Sequence, residues 1–308
     1  MASGYDNPDS ELILTHAHAI SKSDRFDLIG FYDIDSDKAI AAAQKWNSHF
    51  VDDIDSIKNE VDIVCCTAPD ECHYDIMKGL LTWPALQGVI CEKPVTDSID
   101  SAENLGQLYA SGEKPVIVNY TRRYNKEFED IKKWIDANAG KLITGTCVYG
   151  KGIIHNCSHM INLLQFLFGK VKIAHVGKSY IDYKETDPSV DFSIEIKGAP
   201  VYIHPIPCDV VTVFEFDLCF EKGRIRYDDT DGTIRYYSAR RISMEDDDIN
   251  YQLVKQINID RSRALTSLYD NLYDAIESSA PVKASLKDSI ETLRICDSVR
   301  RQCINGGN

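Results

Sequence analysis

An ionisable pair and a proline follow a short apolar run in the stretch from Gly88 to Pro94, which reads Gly-Val-Ile-Cys-Glu-Lys-Pro. Such a run is typical of a buried parallel strand, and ligands of open α/β sheets bind beyond the carboxyl ends of the strands. Glu92 and Lys93 would therefore lie at the mouth of a crevice, where desolvation changes the proton affinity of an amine. Pro94 fixes the next turn and can adopt a cis peptide bond. The alternative is a solvated lysine at a strand end.

Two histidines at helical spacing form a second candidate site. His155 and His159 are four residues apart, so one face of a helix would present both, as in many zinc sites. However, Asn156 stands where a zinc hydrolase would have its glutamate base, and the sequence shows no third ligand. We therefore predict no metal. Two interpretations remain, namely groups that transfer protons and histidines that cap a core.

The predicted elements of residues 1–138 alternate between strands and helices. Predicted strands cover residues 26–32, 61–67, 88–91 and 115–119. Predicted helices cover residues 8–21, 36–47, 73–81, 97–110 and 128–138. Asn7 and Pro8 would begin the first helix, although residues 11–15 could instead form a short strand. Strands joined by helices imply right-handed crossovers and a doubly wound, Rossmann-like parallel sheet.

From residue 145 onward the strand patterns follow one another, which predicts a large, mostly antiparallel open sheet in an α+β domain. These strands cover residues 145–148, 172–183, 189–196, 199–204, 211–220 and 223–228. Helices are predicted at 154–168, 262–278 and 287–303, and the charge-rich segment 240–250 is predicted to be a mobile loop. The fold class is therefore α/β, with an α+β second half.

Composition restricts the partners. The 308 residues include 34 basic and 48 acidic side chains, and a net charge of -14 opposes binding to nucleic acid or to an anionic membrane. No apolar run approaches the roughly 20 residues of a membrane span. The ten cysteines are dispersed without a Cys-x-x-Cys pair, which favours reduced thiols and a cytoplasmic location. A small-molecule ligand is the expected partner.

Several short motifs occur in a specific order along the chain. They are Asp33, Thr67-Ala68-Pro69 with His73, Glu92-Lys93-Pro94, Arg123-Tyr124 and the segment 152–169. From about His16 to Ser298 this order resembles the nicotinamide-dependent oxidoreductases that include glucose-fructose oxidoreductase, inositol dehydrogenase and the rhizopine-catabolism protein. The resemblance implies a dinucleotide-binding domain over residues 1–118. It also implies a substrate-binding and dimerisation domain over 119–308, with the C-terminal helices packing back, in a homodimer or homotetramer.

The implied cofactor is NAD. Asp33 would accept hydrogen bonds from the ribose hydroxyls, and its charge disfavours the 2′-phosphate of NADP, although Asp33 could instead cap a helix. The small residues Thr67, Ala68 and Pro69 would let the backbone approach the dinucleotide, and the resemblance places His73 near the nicotinamide. Glu92 and Lys93 complete the cofactor-binding set.

The resemblance further implies hydride transfer between the nicotinamide and a secondary hydroxyl of a sugar or nucleotide sugar. We expect His159 to act as the base, Lys93 to stabilise charge beside it, and His155 to lie in the same crevice. Where the family commonly has aspartates, this sequence has His155 and Asn162, which looks like a sugar-acting branch but could also mean lost catalysis. Substrate contacts are expected from four residues, namely Tyr120, Arg123, Asn156 and Asn162.

One family feature is missing before His16. The sequence shows neither the first apolar strand nor the Gly-x-Gly-x-x-Gly loop that holds the pyrophosphate, so the Rossmann-like domain is N-terminally incomplete. We therefore expect weak NAD binding, because Asp6 and Asp9 would repel the phosphates from the remaining helix start. The alternative function is a non-catalytic or truncated member that acts as a ligand-binding or scaffold protein.

Overall fold

A computed structural model describes residues 5–241 and 248–305 of the chain. The chain divides into two compact units. The first comprises Met1–Asn125 and Asp260–Ile290, and the second comprises Lys126–Ile259 and Glu291–Asn308. The predicted boundary between a cofactor domain and a substrate domain at residue 118 stays a prediction. Within the described residues, no helix is long and apolar enough to cross a membrane.

The first unit contains parallel strands that alternate with helices, as the sequence predicts. One sheet pairs β1 (Gly30–Phe31) with β2 (His49–Phe50), and a second has the order β3 (Ile63–Cys66), β4 (Gly88–Cys91), β5 (Val116–Val118). The intervening helices are α1 (His16–Ser21), α2 (Ser36–Lys45), α3 (Asp70–Leu80) and α4 (Ile99–Leu108). The predicted Rossmann-like parallel arrangement is confirmed.

Strand β4 is the central strand of the three-stranded sheet. Val89, Ile90 and Cys91 are completely buried, which explains the uninterrupted apolar run in the sequence. The peptide bond between Lys93 and Pro94 is cis, the isomer that the sequence allowed at this position. The chain bends at residues 93–95, directly after β4.

The amino-terminal segment differs from the prediction. Residues 5–15 contain neither a helix nor a strand, and the first helix begins only at His16. The N-cap of this helix is Thr15, whose hydroxyl accepts from the His18 amide. The Asp6 carboxylate accepts hydrogen bonds from the amides of Leu14 and Thr15, each at 2.8 Å, and so holds the segment that precedes the helix. The strand predicted at 26–32 is reduced to two residues. Among the described residues β1 pairs with β2 alone, and no strand joins this pair to β3.

The second unit is built on an eight-stranded sheet. Its order is β13-β12-β11-β10-β6-β9-β8-β7, and only the β6–β9 pair is parallel. The strands are β6 (Leu142–Tyr149), β7 (Lys172–Lys184), β8 (Asp187–Ile196), β9 (Ala199–Pro205), β10 (Phe214–Phe220), β11 (Gly223–Asp228), β12 (Thr233–Arg241) and β13 (Ile249–Asn258). The predicted mostly antiparallel sheet is confirmed.

Two helices cover the buried face of this sheet, α5 (Lys126–Trp134) and α6 (Ser158–Phe168). Burial alternates along β10, where Phe214, Phe216 and Leu218 face the core, as expected for a sheet with one dry face. Single π-helical turns at Ile135–Ala139 and Ile153–Cys157 occupy ends of the two predicted helices. Such turns often occur at functional sites.

The loop predicted at 240–250 is wrong at both ends. Arg240 and Arg241 belong to β12 and pair with Asn250 and Ile249 of β13. Residues 242–247 lie outside the described residues. Nearly every side chain of β13 is exposed, so this strand lacks the alternating burial that sequence patterns detect.

The last two helices are α7 (Ala264–Ser278) and α8 (Leu286–Asn305). Helix α7 packs on β4 in the first unit. A Cβ atom added at Gly88 would lie 3.0 Å from Leu272 Cδ1 and 3.1 Å from Ile276 Cδ1. The absence of a side chain at Gly88 therefore lets this helix approach the sheet closely.

We predict that Gly88→Val lowers the free energy of unfolding by about 1–3 kcal/mol, because the added side chain overpacks the α7 contact. Gly79→Ala in α3 is the control, since a Cβ there meets nothing within 4 Å and should be neutral or stabilising by about 0.5–1 kcal/mol. Urea denaturation followed by circular dichroism measures both. Equal stability of the two variants would contradict the packing argument.

Candidate active site

The carboxyl ends of β3 and β4 carry most of the predicted cofactor residues, and His73 joins the two loops. Its Nδ1 lies 2.9 Å from the Pro94 carbonyl oxygen and its Nε2 lies 2.8 Å from that of Ala68. His73 is only 1% exposed, so it is not a surface residue of α3. Thr67 and Lys93 directly precede Ala68 and Pro94 in the chain, and both are half-buried. The structure therefore brings the Thr67–Pro69 loop, His73 and the Glu92-Lys93-Pro94 turn together.

Glu92 forms a buried polar network on this edge of the sheet. Its Oε1 lies 2.9 Å from His16 Nε2 and accepts a hydrogen bond from Asn119 Nδ2 at 2.9 Å. His16 Nδ1 lies 3.1 Å from the hydroxyl of Tyr269. The sequence analysis missed His16, Asn119 and Tyr269 because they are far apart in the chain. In the sequence, the only indication of such partners of Glu92 is a polar residue next to a predicted strand end.

The network shifts the pKa values of both ionisable partners. Burial raises the pKa of Glu92, but His16 and Asn119 lower it below its usual range. Burial lowers the pKa of His16, but Cys65 and Glu92 outweigh burial and raise this pKa to about 10. An imidazolium–carboxylate pair is therefore expected at neutral pH.

Two thiols lie beneath His73. Cys66 and Cys91 are register partners on β3 and β4, and both are buried. The interaction with Cys91 lowers the pKa of the Cys66 thiol to about 7, with burial opposing and His73 assisting. All ten cysteines lie in the described residues, and all carry free thiols.

The remaining predicted residues of the first unit have well-defined environments. Asp33 is exposed, and its Oδ1 accepts a hydrogen bond from the Asp35 amide at 2.9 Å. The residue at the N-cap position of α2 is Asp35. Tyr120 is 2% exposed. The expected roles of Asp33 and Tyr120 stay predictions.

Arg123 is a buried cation in the first unit. Its Nη1 donates to the Lys283 carbonyl at 2.7 Å and lies 3.3 Å from Asp288 Oδ2. These contacts of Nη1 therefore link the segment after β5 to the start of α8. Its predicted substrate contact stays a prediction.

In the second unit, the π-helical turn Ile153–Cys157 precedes α6 and carries His155 and Asn156. His155 and Tyr183 have ring centroids 4.5 Å apart, and Asn156 Nδ2 donates to the Gly150 carbonyl at 2.9 Å. His159 follows in the first turn of α6 and is half-buried. The structure thus keeps His155 and His159 on consecutive helical turns.

Asn162 lies deeper in α6 and is 1% exposed. Its Nδ2 donates to Thr292 Oγ1 at 2.9 Å, and Thr292 donates to Gln165 Oε1 at 2.7 Å. This chain of hydrogen bonds joins α6 to α8. A substrate contact by Asn162 stays a prediction.

Asp187 is a positioning residue that the sequence analysis missed. Its carboxylate accepts hydrogen bonds from the amides of Ile154 at 2.7 Å and His155 at 2.9 Å, and it is 7% exposed. A Cβ atom at Gly152, where φ is +81°, would lie 2.3 Å from this carboxylate. Gly152 is therefore required for the approach of Asp187, which fixes the backbone beneath His155.

Comparison with known proteins identifies similar sequences over the first part of the chain. Residues 13–120 match the model of the oxidoreductase family with an NAD-binding Rossmann fold. The chain is 29% identical over 137 residues to inositol 2-dehydrogenase of Rhodococcus erythropolis, covering 44% of this chain and 36% of that protein. It is 31% identical over 133 residues to inositol 2-dehydrogenase/D-chiro-inositol 3-dehydrogenase of Lactiplantibacillus plantarum, covering 39% and 36%. The matches thus span about a third of these relatives' length.

Solved structures share the fold over nearly the whole chain. UDP-N-acetylglucosamine 3-dehydrogenase GnnA from Acidithiobacillus ferrooxidans superposes with a TM-score of 0.74 at 15% identity, covering 93% of this chain and 92% of that chain. An oxidoreductase from Sinorhizobium meliloti superposes with a TM-score of 0.76 at 14% identity, covering 95% of both chains. At these identities the similarity concerns the fold alone.

We predict that the His16–Glu92 pair makes stability pH-dependent. Because the pKa of His16 is about 10 in the folded chain, its contribution is complete below the unfolded pKa near 6.5 and is lost as the pH rises toward 10. The lowered pKa of Glu92 places its own loss below about pH 4.5. Between pH 6.5 and 8.5, the free energy of unfolding should fall by up to about 2–3 kcal/mol relative to that of His16→Gln.

Urea titrations at several pH values measure this difference. The control is His49→Gln, which removes an exposed histidine from β2 of the same unit. If the parent and His16→Gln lost stability in parallel over this range, the buried ion pair would be refuted.

We predict that Asp187→Ala lowers the free energy of unfolding by about 2–4 kcal/mol, because two backbone amides lose a charged acceptor. The matched control is Asp191→Ala on the same strand, where the carboxylate is half exposed and pairs with His204 at 3.1 Å. This surface pair should contribute less than about 1 kcal/mol. Comparable effects of the two substitutions on urea denaturation would argue against a special role for Asp187.

Proposed function

Because residues 13–120 match the model of the oxidoreductase family with an NAD-binding Rossmann fold, we propose that the chain transfers a hydride between a nicotinamide cofactor and a secondary hydroxyl of a sugar or nucleotide sugar. The observation that carries the proposal is the cluster at the ends of β3 and β4. There His73 joins the Thr67–Pro69 loop to the Lys93-Pro94 turn. This edge of a parallel sheet is where dinucleotides bind.

The described residues fit one part of NAD better than another. The exposed Asp33 carboxylate follows β1 and can accept hydrogen bonds from ribose hydroxyls, which supports NAD over NADP. Thr67, Ala68 and Lys93, at the carboxyl ends of β3 and β4, can contact the nicotinamide end of the cofactor. In contrast, residues 5–15 contain no glycine, and the Asp6 carboxylate already accepts the amide hydrogens before α1. The amides of Leu14 and Thr15 are therefore not available to bind a pyrophosphate.

When bound, the nicotinamide would exchange a hydride with the carbinol carbon, so a side chain must take the hydroxyl proton. His159 is assigned as this base because an imidazole titrates near neutral pH, and Lys93 stabilises the charge on the substrate oxygen. His155 is held by Asp187 on the turn before His159 and completes the catalytic set. Tyr120, Arg123, Asn156 and Asn162 are the proposed substrate residues.

Two relatives suggest substrates to test. One is an inositol 2-dehydrogenase that is similar in sequence, and the other is a UDP-N-acetylglucosamine 3-dehydrogenase whose solved structure has the same fold. An inositol and a nucleotide sugar therefore represent the two substrate classes. Assembly into a homodimer or homotetramer is proposed on the same resemblance.

A second candidate function has its own support. The parallel sheet of the first unit is in two pieces within the described residues, and Asp6 occupies the start of α1. Both features disfavour a tightly held dinucleotide. A non-catalytic protein that binds a ligand or serves as a scaffold would tolerate them.

Calorimetric titration with NADH distinguishes the two functions. We predict weak binding, with a Kd above about 100 μM, because the Asp6 carboxylate opposes the phosphates. Asp6→Asn should tighten binding several-fold, whereas the exposed control Asp9→Asn should change it less. No detectable NADH binding by the parent or by Asp6→Asn would favour the scaffold function. Micromolar binding by the parent would show that other residues hold the pyrophosphate.

Turnover of myo-inositol and UDP-N-acetylglucosamine with saturating NAD then tests the catalytic residues. Lys93→Ala and His159→Ala should each reduce kcat by about 100-fold or more, as expected for loss of proton transfer. Lys78→Ala, on the exposed face of α3, is the control. Variants as active as the parent would refute the assignment of Lys93 and His159.

A further inference from the structure

We propose that Cys66, Cys91 and His73 form a binding site for a thiophilic d10 cation, of which Zn²⁺ is the test case. One potential ligand atom from each residue lies within 4.8 Å of the other two, and all three residues are buried. This cluster is separate from the His155/His159 pair that the sequence suggested. It also does not depend on the proposed oxidoreductase activity.

The strand register brings the two sulfur atoms together. Cys66 and Cys91 are the final residues of β3 and β4 and are paired directly in register, so their side chains project from the same face of the sheet. Cys65 precedes Cys66 and projects from the opposite face. Two thiolates placed side by side in this way, with their sulfur atoms within 4.8 Å, can ligate one ion.

The surroundings of His73 suit a third ligand. Its ring nitrogens face the carbonyl oxygens of Pro94 and Ala68, at 2.9 and 2.8 Å. A neutral imidazole has one N–H, so it can donate to only one of these carbonyls while its other nitrogen presents a lone pair. That lone pair faces a carbonyl oxygen, so a cation must draw the ring away from this carbonyl in order to bind it. The remaining N–H would still donate to a backbone carbonyl, as is usual for metal-bound histidine.

The donor set selects the kind of ion. Two thiolates and an imidazole favour Zn²⁺ or Cu⁺ over Mg²⁺ or Ca²⁺, which prefer oxygen ligands. No carboxylate belongs to the cluster. Three protein ligands leave the fourth tetrahedral position of Zn²⁺ to water.

The position of the site gives it a structural consequence. Cys66 precedes the Thr67–Pro69 loop, and Cys91 precedes the Glu92-Lys93-Pro94 turn. A bound ion would therefore fix the two strand ends relative to each other and draw His73 away from one loop carbonyl. Metal occupancy would thereby alter the same loops that are proposed to hold the nicotinamide.

The test uses the full chain, reduced and freed of metal, with Zn²⁺ and Co²⁺ as probes. We expect about one Zn²⁺ per chain by native mass spectrometry and a rise in Tm of roughly 5 °C or more at saturation. Co²⁺ should give a thiolate-to-metal charge-transfer absorption that saturates at a similar number of ions per chain. Cys66→Ser, Cys91→Ser and His73→Gln should each weaken binding at least tenfold.

Cys72→Ser is the matched control, because Cys72 is an exposed thiol adjacent to His73 on α3 and lies outside the cluster. It should bind both ions like the parent. If a cluster variant fails to fold, the stoichiometry and charge-transfer absorption of the parent still decide the question. A reduced parent chain without these signals would overturn the proposal. The proposal would also be overturned if Cys66 and Cys91 only formed a disulfide, seen as a chain mass about 2 Da lower, and bound neither ion.

Discussion

The carboxylate of Glu92 is buried at the end of β4, and the first unit depends on the groups that neutralise it. An isolated carboxylate in the interior would be destabilising by several kcal/mol, and removal of a single partner leaves an uncompensated charge. Here His16 supplies the positive charge, and Asn119 supplies a further hydrogen bond. These residues come from α1, the β4 turn and the end of β5. The ion pair and its neighbouring hydrogen bond therefore link three segments that are distant in the sequence.

The second unit solves a similar problem with backbone amides. The turn before α6 leaves amide hydrogens without helical partners, and the buried Asp187 carboxylate accepts two of them. Gly152 makes room for this carboxylate because any side chain there would collide with it. Asp187 thus sets the backbone position of His155, whereas Glu92 holds together His16 and Asn119. The acids themselves are engaged in fixed hydrogen bonds.

Much of this architecture could be predicted from local sequence. The apolar runs at β3, β4 and β5 and the alternating pattern of β10 each follow from burial on one or both faces. Strand β13 could not be found in the same way, because its exposed side chains carry no periodic signal. The start of α1 was misplaced because Asp6 holds the segment before the helix from nine residues before Thr15, a contact that no local capping rule covers. The partners of Glu92 and the role of Asp187 are likewise contacts between distant segments, and a single sequence does not reveal such pairs.

The division of the parallel sheet also bears on how the first unit moves. Strands β1 and β2 are joined by only two register pairs, whereas β4 is hydrogen-bonded along both edges and completely buried. Amide hydrogens in a small, peripheral ladder exchange through local opening, while those in a central strand exchange only through larger unfolding. Deuterium uptake should therefore be fast at residues 30–31 and 49–50 and slow at residues 88–91. The Asp33 end of the candidate cofactor site would then belong to a fluctuating part of the unit, and the His73 end to a rigid one.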